Sequence, residues 1–376
     1  MAKKSIVLAS NTSFSLYNFR LGLMRRLKEL GYDVVCIAQV DDYTEYLKEE
    51  FSFYPLKNLD RKGKNPIKDF KLFLEFLSLY RKIRPDLVIN YTIKPNIYSS
   101  IASGILGIPS ISVITGLGYV FLRGGLLEKL VRVLYKKAFK FNKFIIVQNS
   151  EDYRVVKHIS DNAKKVILIE SSGVNTDYFS PAICEKHDRN KGKTIFLFIG
   201  RFLKDKGIIE LIEAGKLLWQ ERKDFEIWLV GGIDYGNPQS LREEDINNIK
   251  KYEFVKVLPF SKDVRPLICQ ADCVVLPSYY KEGIPRSLLE AMSMAKPIIT
   301  TTSPGCMDVC EDGVNGFLVE QRSISSLKVS MERFLNLSEE DRQRMGVLGR
   351  ELAIRRFDEK IIIEKYLSLI GSILQP

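Results

Sequence analysis

Two basic residues stand close together in the segment FIGRFLKDKG, residues 198–207. Arg201 and Lys206 are five positions apart, directly after an apolar run and around the start of a predicted helix. Gly200 allows the chain to turn tightly where the apolar run ends. Two cations beside the positive end of a helix can neutralise a diphosphate. Two solvated side chains in a loop would give the same R-x4-K pattern, so this segment is a weak signal by itself.

Two carboxylates follow further along the chain, in EGIPRSLLEAMSMAKPI, residues 282–298. Gly283 and Pro285 keep Glu282 outside the following helix, and Pro285 suits a helix start. Glu290 then lies about one turn into that helix. One carboxylate can hold the hydroxyls of a hexose and the other the diol of a ribose, while backbone N–H groups at the helix start face phosphate oxygens. The alternative is a loop glutamate and an unrelated glutamate on a helix surface.

Both motifs lie in a chain where apolar runs alternate with segments of helical spacing, a pattern typical of βαβ units and parallel sheets. The predicted strands are residues 5–9, 34–38, 87–90, 111–114, 144–148 and 166–169, then 194–199, 225–230, 255–258, 273–276 and 297–300. The predicted helices include residues 18–30, 70–82, 98–106 and 208–220.

A polar stretch at residues 178–193 separates the two series of strands and predicts an interdomain linker. We therefore expect an α/β protein with a first domain over residues 1–180 and a second over 190–358. Residues 359–376 have helical apolar spacing and are predicted to pack back on the first domain. Parallel sheets bind ligands at the carboxyl ends of their strands, so the active site is expected between the domains.

The charge balance favours contact with polyanions, because 57 basic residues exceed 46 acidic ones and give a net charge of +11. Residues 123–144 predict a basic amphipathic helix, either at an anionic membrane surface or with its apolar side in the core. The uncharged stretch 95–122 is interrupted by Pro109 and glycines, so it predicts a helix end, a strand and a turn rather than a membrane span. No recognisable nucleic-acid-binding motif accompanies the positive charge.

Six cysteines are sparse for 376 residues and favour a reducing compartment. Two C-x3-C pairs, Cys269 with Cys273 and Cys306 with Cys310, are interpreted as small buried thiols, with a metal site as the alternative. The N-terminal apolar run is too short for a signal peptide. The sequence contains no Asp-x-Asp, the usual carboxylate pair for a Mg or Mn bridge.

The pattern G-R-x4-K-G followed by E-x7-E resembles the donor site of family 4 glycosyltransferases, which have the GT-B fold of two Rossmann-like domains facing a cleft. The resemblance runs nearly end to end and is nearest to the branch that builds capsular, O-antigen and N-linked glycan precursors. Within it, the chain is similar to enzymes that add GalNAc or Gal in α1,3 linkage to an undecaprenyl-diphosphate-linked amino sugar. The matching segments are TIKPNIYSS (92–100), ITGLGYVF (114–121), LVGGIDYGNP (229–238), LPSYYKEGIPRSLLEAM (276–292) and PGCMDVCEDGVNGFLV (304–319).

The resemblance implies a role for each residue of the two motifs. Arg201 and Lys206 would bind the donor diphosphate and stabilise charge on departing UDP, while Glu282 would contact the transferred sugar and Glu290 the ribose. The remaining donor-binding residues implied are Gly200, Gly283, Ile284 and Pro285, with Gly232 and the residues after it near the nucleotide and residues 253–259 near the uracil. In the first domain, a loop at residues 10–17 and the segment 116–119 would face the acceptor and the donor phosphates, including Ser15, Tyr17, Gly116, Gly118 and Tyr119.

One departure from the family concerns a histidine that many members carry near the scissile bond. The matching place here is Tyr91 or Thr92, and the two histidines, His158 and His187, lie elsewhere. No histidine base is therefore assigned. Retaining enzymes of this fold are thought to let the leaving phosphate take the acceptor's proton, which needs positioning and charge more than a protein base.

The resemblance and the motifs together predict a retaining glycosyltransferase that uses a UDP-sugar, requires no metal or other cofactor, and acts on a polyprenyl-diphosphate-linked glycan. It is expected in the cytoplasm, at the inner face of the cytoplasmic membrane, without nucleic acid as a partner. A UDP-sugar 2-epimerase of the same fold is the alternative. A glycoside hydrolase is the poorer interpretation, because each glutamate already has a donor-binding task.

Overall fold

The computed structural model describes residues 3–60, 63, 65–117, 121, 125–184, 192–235, 237–280 and 283–374. Contacts along the chain divide it into two units. The first contains Met1–Ser172 and Glu359–Pro376, and the second is Gly173–Asp358. The C-terminal helix therefore belongs to the same unit as the N-terminal strand.

Seven parallel strands form the sheet of the first unit, in the order β3-β2-β1-β4-β5-β6-β7. The strands are β1 Ser5–Thr12, β2 Asp33–Gln39, β3 Ser52–Pro55, β4 Leu87–Tyr91, β5 Ser110–Ile114, β6 Asn142–Val147 and β7 Val166–Leu168. The α-helices are α1 Ser13–Glu29, α2 Thr44–Lys48, α3 Pro66–Ile83, α4 Ser100–Ile105, α5 Leu126–Phe139, α6 Ser150–Ile159 and α13 Glu359–Leu374, with a π-helix at Pro95–Ser99.

Helices cover both faces of this sheet, as an all-parallel sheet requires. On one face α1 and α13 pack over β1, β2 and β4, with Ile362, Tyr366 and Ile370 of α13 in the core. On the other face the apolar side of α3, including Leu72 and Phe76, packs on the same strands. Within the uncharged stretch 95–122, residues 95–105 form helical turns and residues 110–114 the buried strand β5, as predicted, while residues 118–120 and 122 lie outside the described residues. No helix among the described residues is long and apolar enough to cross a membrane.

Six parallel strands form the sheet of the second unit, in the order β10-β9-β8-β11-β12-β13. The strands are β8 Thr194–Arg201, β9 Phe225–Gly232, β10 Val255–Leu258, β11 Cys273–Leu276, β12 Ile298–Thr301 and β13 Gly316–Val319. The α-helices are α7 Ile208–Glu221, α8 Glu243–Ile249, α9 Arg265–Gln270, α10 Arg286–Ser293, α11 Ile324–Leu335 and α12 Glu339–Leu352. The two sheets confirm the predicted α/β fold with two Rossmann-like domains.

The chain at Tyr178 and Phe179, near the start of the second unit, contacts side chains of α9 and α10. Phe179 is buried in the core, and its carbonyl accepts a hydrogen bond from Ser293 Oγ at 2.6 Å. The guanidinium carbon of Arg265 lies 3.6 Å from the centroid of the Tyr178 ring. Several side chains of α9 and α10 thus hold this part of the predicted linker.

A disulfide joins Cys184 to Cys269 within the second unit. The expectation that Cys269 is a thiol beside Cys273 is therefore wrong, because the fold brings Cys269 of α9 against a residue 85 positions away. The other four cysteines are buried thiols: Cys36, Cys273, Cys306 and Cys310. Over the ranges described above, no group of three or more His, Cys, Asp or Glu side chains is placed to hold a metal ion.

Alkylation of the denatured, unreduced protein is expected to label four cysteines and to leave Cys184 and Cys269 unlabelled, because disulfide sulfurs do not react with alkylating reagents. Peptide mass mapping measures the labelled positions. Cys184→Ser provides the control, since it frees Cys269 and should raise the labelled set to Cys269 with the four buried thiols. Labelling of all six cysteines without reduction would contradict the disulfide.

Candidate active site

The strand order of the second unit places a topological switch point at the carboxyl ends of β8 and β11. β8 pairs with β9 on one side and with β11 on the other, so the connections after β8 and β11 leave in opposite directions. In open α/β sheets ligands bind at such a switch point. Arg201 is the last residue of β8, and Pro277 directly follows β11.

Two loops meet at this switch point because Gly207 brings them into contact. Gly207 has φ 78°, and a Cβ at this position would lie 2.2 Å from the Pro277 carbonyl oxygen. The Tyr279 backbone N–H donates to the Asp205 carbonyl at 3.0 Å. The loop after β8 is thereby fixed to the loop after β11, directly before the first residue of α7.

Lys206 lies in this fixed loop and is largely enclosed. Lys206 is the last residue of a short 3₁₀ turn, Lys204–Lys206, and only 8% of the residue is exposed. Its Nζ lies 5.9 Å from the centroid of the Tyr280 ring. The N-terminus of the 14-residue helix α7 follows. An ammonium group near a helix N-terminus and away from bulk water binds an anion more strongly than a solvated lysine does.

Arg201 is more open, with 51% of its side chain exposed. Its Nη1 donates to Asp234 Oδ2 at 2.7 Å. The parallel register places Arg201 opposite Gly232, and Gly200 opposite Gly231. Arg201 and Lys206 thus both lie at the carboxyl-terminal ends of the strands of one sheet.

Gly231 was not predicted from the sequence as a site residue, and Asp234 was included only among the residues after Gly232 that the resemblance places near the nucleotide; its contact with Arg201 was not predicted. Gly231 has φ 151°, and a Cβ there would lie 1.8 Å from the Gly200 carbonyl oxygen, so the two strand ends approach as only glycine allows. A Gly-Gly pair at a strand end is a signal for such close backbone approach. This contact carries the loop after β9, with Asp234, beside Arg201.

Glu290 lies on the second turn of α10, as predicted, and it is already paired. Arg286 Nε donates to Glu290 Oε1 at 3.0 Å, and 14% of the Glu290 side chain is exposed. Burial raises the pKa of the Glu290 carboxyl above its ordinary value, and the charge of Arg286 acts in the opposite direction. The pairing of Arg286 with Glu290 was not predicted.

The residues before α10 form the entry to the helix. Pro285 is its extended N-cap residue, Gly283 precedes it, and Ile284 is buried in the core of the unit. Glu282 lies outside the described residues, so its position relative to Glu290 stays a prediction.

In the first unit, Ser15 and Tyr17 lie on the first turns of α1 rather than in a loop. The helix begins at Ser13, five residues before the predicted start, because the Thr12 hydroxyl accepts a hydrogen bond from the Ser15 N–H and caps the helix. Gly116 follows β5 with φ 133°. The predicted residues Gly118 and Tyr119 lie outside the part of the chain that the structure describes.

Tyr91 and Thr92, at the end of β4, differ in access. Tyr91 is fully buried, with the guanidinium carbon of Arg20 4.4 Å from its ring centroid, and burial raises the pKa of its phenol well above the ordinary value. Thr92 is half-buried and has φ 70°, an unusual conformation for a β-branched residue that is typical of functional sites. His158 lies exposed on α6, and His187 is outside the described residues. Of the two matching positions, Thr92 is the accessible one.

The predicted basic helix is α5, and it is shorter than the 123–144 span, because residues from Asn142 onwards form β6. One side of α5 packs into the core through Val131, Tyr135, Ala138 and Phe139. Its exposed face consists of aliphatic and basic side chains, which are Leu126, Lys129, Leu130, Val133, Lys136 and Lys137, and the exposed Lys140 follows the helix as its C-cap. Lys136 pairs with Asp161 at 2.8 Å. Both predicted features of the helix, the core side and the basic apolar face, are present.

Two Rossmann-like units, the second with paired cations at its switch point, are typical of enzymes that bind nucleotides. The chain matches the family model "Glycosyl transferase 4-like" over residues 5–149 and the model "Glycosyl transferases group 1" over residues 180–352. The chain belongs to this family of GT-B glycosyltransferases.

Curated relatives of similar length support the membership. An N,N'-diacetylbacillosaminyl-diphospho-undecaprenol α-1,3-N-acetylgalactosaminyltransferase from Campylobacter jejuni is 28% identical over 97% of this chain and 98% of its own. A UDP-Gal:α-D-GlcNAc-diphosphoundecaprenol α-1,3-galactosyltransferase from Escherichia coli is 26% identical, over 91% of this chain and 90% of its own.

Solved structures show the same fold along the whole chain. A glycosyltransferase from Rickettsia africae superimposes with a TM-score of 0.80, 21% identity and full coverage of both chains. HepE from Anabaena, solved in complex with UDP and glucose, superimposes with a TM-score of 0.81 and 20% identity over 98% of this chain and 99% of its own.

Proposed function

We propose that the protein is a retaining glycosyltransferase that moves a hexose or N-acetylhexosamine from a UDP-sugar to a polyprenyl-diphosphate-linked sugar. GalNAc is the first candidate for the transferred sugar and Gal the second, and the product would enter bacterial surface-glycan or glycoprotein-glycan assembly. The observation that carries the proposal is the enclosed Lys206 in the loop that follows Arg201, at the β8–β11 switch point. The names of the Campylobacter and Escherichia relatives supply the acceptor class.

In this proposal Lys206 and Arg201 bind the diphosphate of the donor. As the bond between the anomeric carbon and the UDP oxygen breaks, negative charge develops on the leaving diphosphate, and the two cations stabilise it. Fixed cations need no reorganisation at that moment, because Gly207 and the Asp205 contact already hold the Lys206 loop. We propose that no metal ion is required. Loss of turnover in EDTA that Mg or Mn restores would count against this.

Retention follows if the acceptor hydroxyl attacks the anomeric carbon from the side that UDP leaves. The new carbon–oxygen bond forms as the old one breaks, and the acceptor's proton passes to an oxygen of the departing diphosphate. This route requires no protein base, which fits a buried Tyr91 and a Thr92 that cannot act as a base at neutral pH. Orientation and charge then supply the catalysis.

The test is acceptor-dependent UDP release with a panel of UDP-sugars and short polyprenyl-diphosphate-linked sugars. NMR of the product gives the anomeric configuration of the new linkage. We expect release of UDP only when a lipid-linked acceptor is present, with retention of configuration. Consumption of the donor without an acceptor would favour the 2-epimerase alternative, and an inverted linkage would contradict the mechanism.

We further propose that the exposed face of α5 contacts an anionic membrane surface, at the cytoplasmic side of the membrane that holds the acceptor. Leu126, Leu130 and Val133 can enter the interface while the lysines remain at the level of the lipid phosphates. A basic residue near an anionic surface contributes about 1 kcal/mol.

Lys129→Glu/Lys137→Glu is therefore expected to weaken binding to vesicles containing anionic lipid by about tenfold or more. Both lysines are exposed, and neither takes part in the Lys136–Asp161 pair. Flotation with anionic and with neutral vesicles measures the binding. The control is Lys250→Glu/Lys251→Glu, which makes the same charge change on exposed lysines of the second unit. Equal binding by wild type and both variants would exclude this face.

A further inference from the structure

Asp234, which neither motif contains, has the one carboxylate that contacts Arg201 among the described residues. The two residues are 33 positions apart, and Arg201 Nη1 lies 2.7 Å from Asp234 Oδ2. Only 11% of the Asp234 side chain is exposed. This exposure is much lower than for an ordinary surface ion pair, whose contribution is small because water solvates both groups.

Asp234 is itself held in a fixed orientation. Asn237 Nδ2 donates to Asp234 Oδ2 at 3.0 Å, and the Asp234 N–H donates to Ser240 Oγ at 3.0 Å. The Asn237 N–H donates to the Asp234 carbonyl at 2.9 Å. The carboxylate thus stands on a turn whose own hydrogen bonds define its direction.

The same turn is joined to the loop that carries Arg201. The Phe202 N–H donates to the Gly232 carbonyl at 2.9 Å, and the Lys204 N–H donates to the Gln239 carbonyl at 2.8 Å. Leu203 and Ser240 form an isolated β-bridge between the two loops. Backbone hydrogen bonds therefore join the turn that carries Asp234 to the loop that follows Arg201, at the ends of β8 and β9.

The contact leaves most of the Arg201 guanidinium available. A guanidinium has five N–H donors in a planar fork, and Asp234 engages Nη1 alone. Holding one nitrogen restricts the orientation of the group, while Nε and Nη2 remain for two parallel hydrogen bonds to phosphate oxygens. An arginine that is half exposed would otherwise lose side-chain freedom on binding, and prior anchoring removes part of that entropic penalty.

We propose that Asp234 is a positioning residue, which holds Arg201 so that the unoccupied edge of its guanidinium faces the donor diphosphate. The inference rests on the proposed function and adds to it the residue that orients the first of the two cations. If the carboxylate instead competed with the diphosphate for Arg201, removing the carboxylate would tighten UDP binding, whereas loss of a positioning residue weakens it. The two are separable by experiment.

The experiment measures UDP binding by titration calorimetry, and kcat and donor KM once an acceptor is found. Asp234→Ala is expected to weaken UDP binding and raise donor KM by about tenfold, because Arg201 loses its orientation. Asp234→Asn should stay within about threefold of wild type, because its amide oxygen can still accept from Arg201 and Asn237. In the Arg201→Ala background, Asp234→Ala should have no further effect on UDP binding.

Glu226→Gln is the matched control, because Glu226 pairs with Lys256 at 2.7 Å near the opposite end of the same strand, β9. It should leave UDP binding unchanged, and thermal unfolding of every variant reports on the fold. UDP binding by Asp234→Ala as tight as, or tighter than, that of wild type would overturn the positioning role. Equal losses in the Ala and Asn variants would overturn it too, because charge and not orientation would then matter. Failure of the wild type to bind UDP would instead contradict the proposed donor, and the positioning role with it.

Discussion

Replacing Lys206 with alanine is expected to lower kcat/KM for the nucleotide sugar by about 10²–10³-fold, the usual loss when one fixed donor to a developing negative charge is removed. Lys206 is enclosed beside the Tyr280 ring and stands just before the N-terminus of α7. Its ammonium therefore acts where water screens charge poorly. Because the charge on UDP develops as the bond breaks, most of the loss should appear in kcat.

Lys204→Ala is the control for this prediction. Lys204 lies in the same 3₁₀ turn, but its side chain is exposed. Its removal should change kcat/KM by no more than about twofold, since an exposed charge is screened by solvent. Steady-state UDP release measures both variants. If Lys206→Ala kept activity within threefold of wild type, or if both variants lost activity equally, Lys206 would not be the catalytic cation.

Gly231→Ala is expected to lower the free energy of unfolding by about 3 kcal/mol or more, at the upper end of the range for overpacking. A Cβ at position 231 would lie 1.8 Å from the Gly200 carbonyl oxygen. The clashing atom belongs to the backbone and not to a flexible side chain. The carboxyl-terminal ends of β8 and β9, where Arg201 lies, must therefore move apart. The φ of 151° adds strain for any residue with a side chain.

The neighbouring glycine provides the matched control. A Cβ at Gly232 meets no described atom within 4 Å, and its φ is outside the positive range. Gly232→Ala should therefore leave the free energy of unfolding within about 0.5 kcal/mol of wild type. Chemical denaturation monitored by circular dichroism compares the three proteins. Equal stability of the two alanine variants would show that the β8–β9 contact relaxes more easily than its geometry indicates.

The sequence predicted the strands well where their runs are apolar and free of turn-favouring residues. All eleven predicted strands are present, and two further strands among the described residues, Ser52–Pro55 and Gly316–Val319, were missed. Both lie at sheet edges, but so do β7 and β10, which are as short and were predicted. The missed runs contain Ser and Pro or begin with Gly, which favour turns, whereas β7 and β10 are rich in Val, Ile and Leu. Such strands form because an adjacent strand offers hydrogen-bonding partners, which is tertiary information.

The candidate donor site could be proposed in part from the sequence. Arg201, Lys206 and Glu290 could be proposed because each stands in a motif with a local signature. The resemblance placed the residues after Gly232 near the nucleotide, but the contact of Asp234 with Arg201 could not be predicted, since it depends on the parallel register of β8 and β9. The pairing of Glu290 with Arg286 follows the i,i+4 rule of helices and was readable from the sequence.

Access to solvent was a second property that the sequence did not give. Tyr91 and Thr92 are adjacent, yet Tyr91 is fully buried, whereas Thr92 directly follows β4 and is half-buried. The placement of Ser15 and Tyr17 in a loop was wrong for a different reason: the Thr12 cap, a recognisable helix-start residue, was overlooked.

The return of α13 to the first unit has a consequence for how the protein is made. Ile362, Tyr366 and Ile370 complete the core around α1, but the ribosome adds them after all of residues 173–358. During synthesis, one apolar face of β1, β2 and β4 therefore stays partly exposed until α13 has been made. The second unit is continuous in sequence and can fold as it leaves the ribosome. The order of translation thus makes a segment synthesised after the second unit the one that closes the first core.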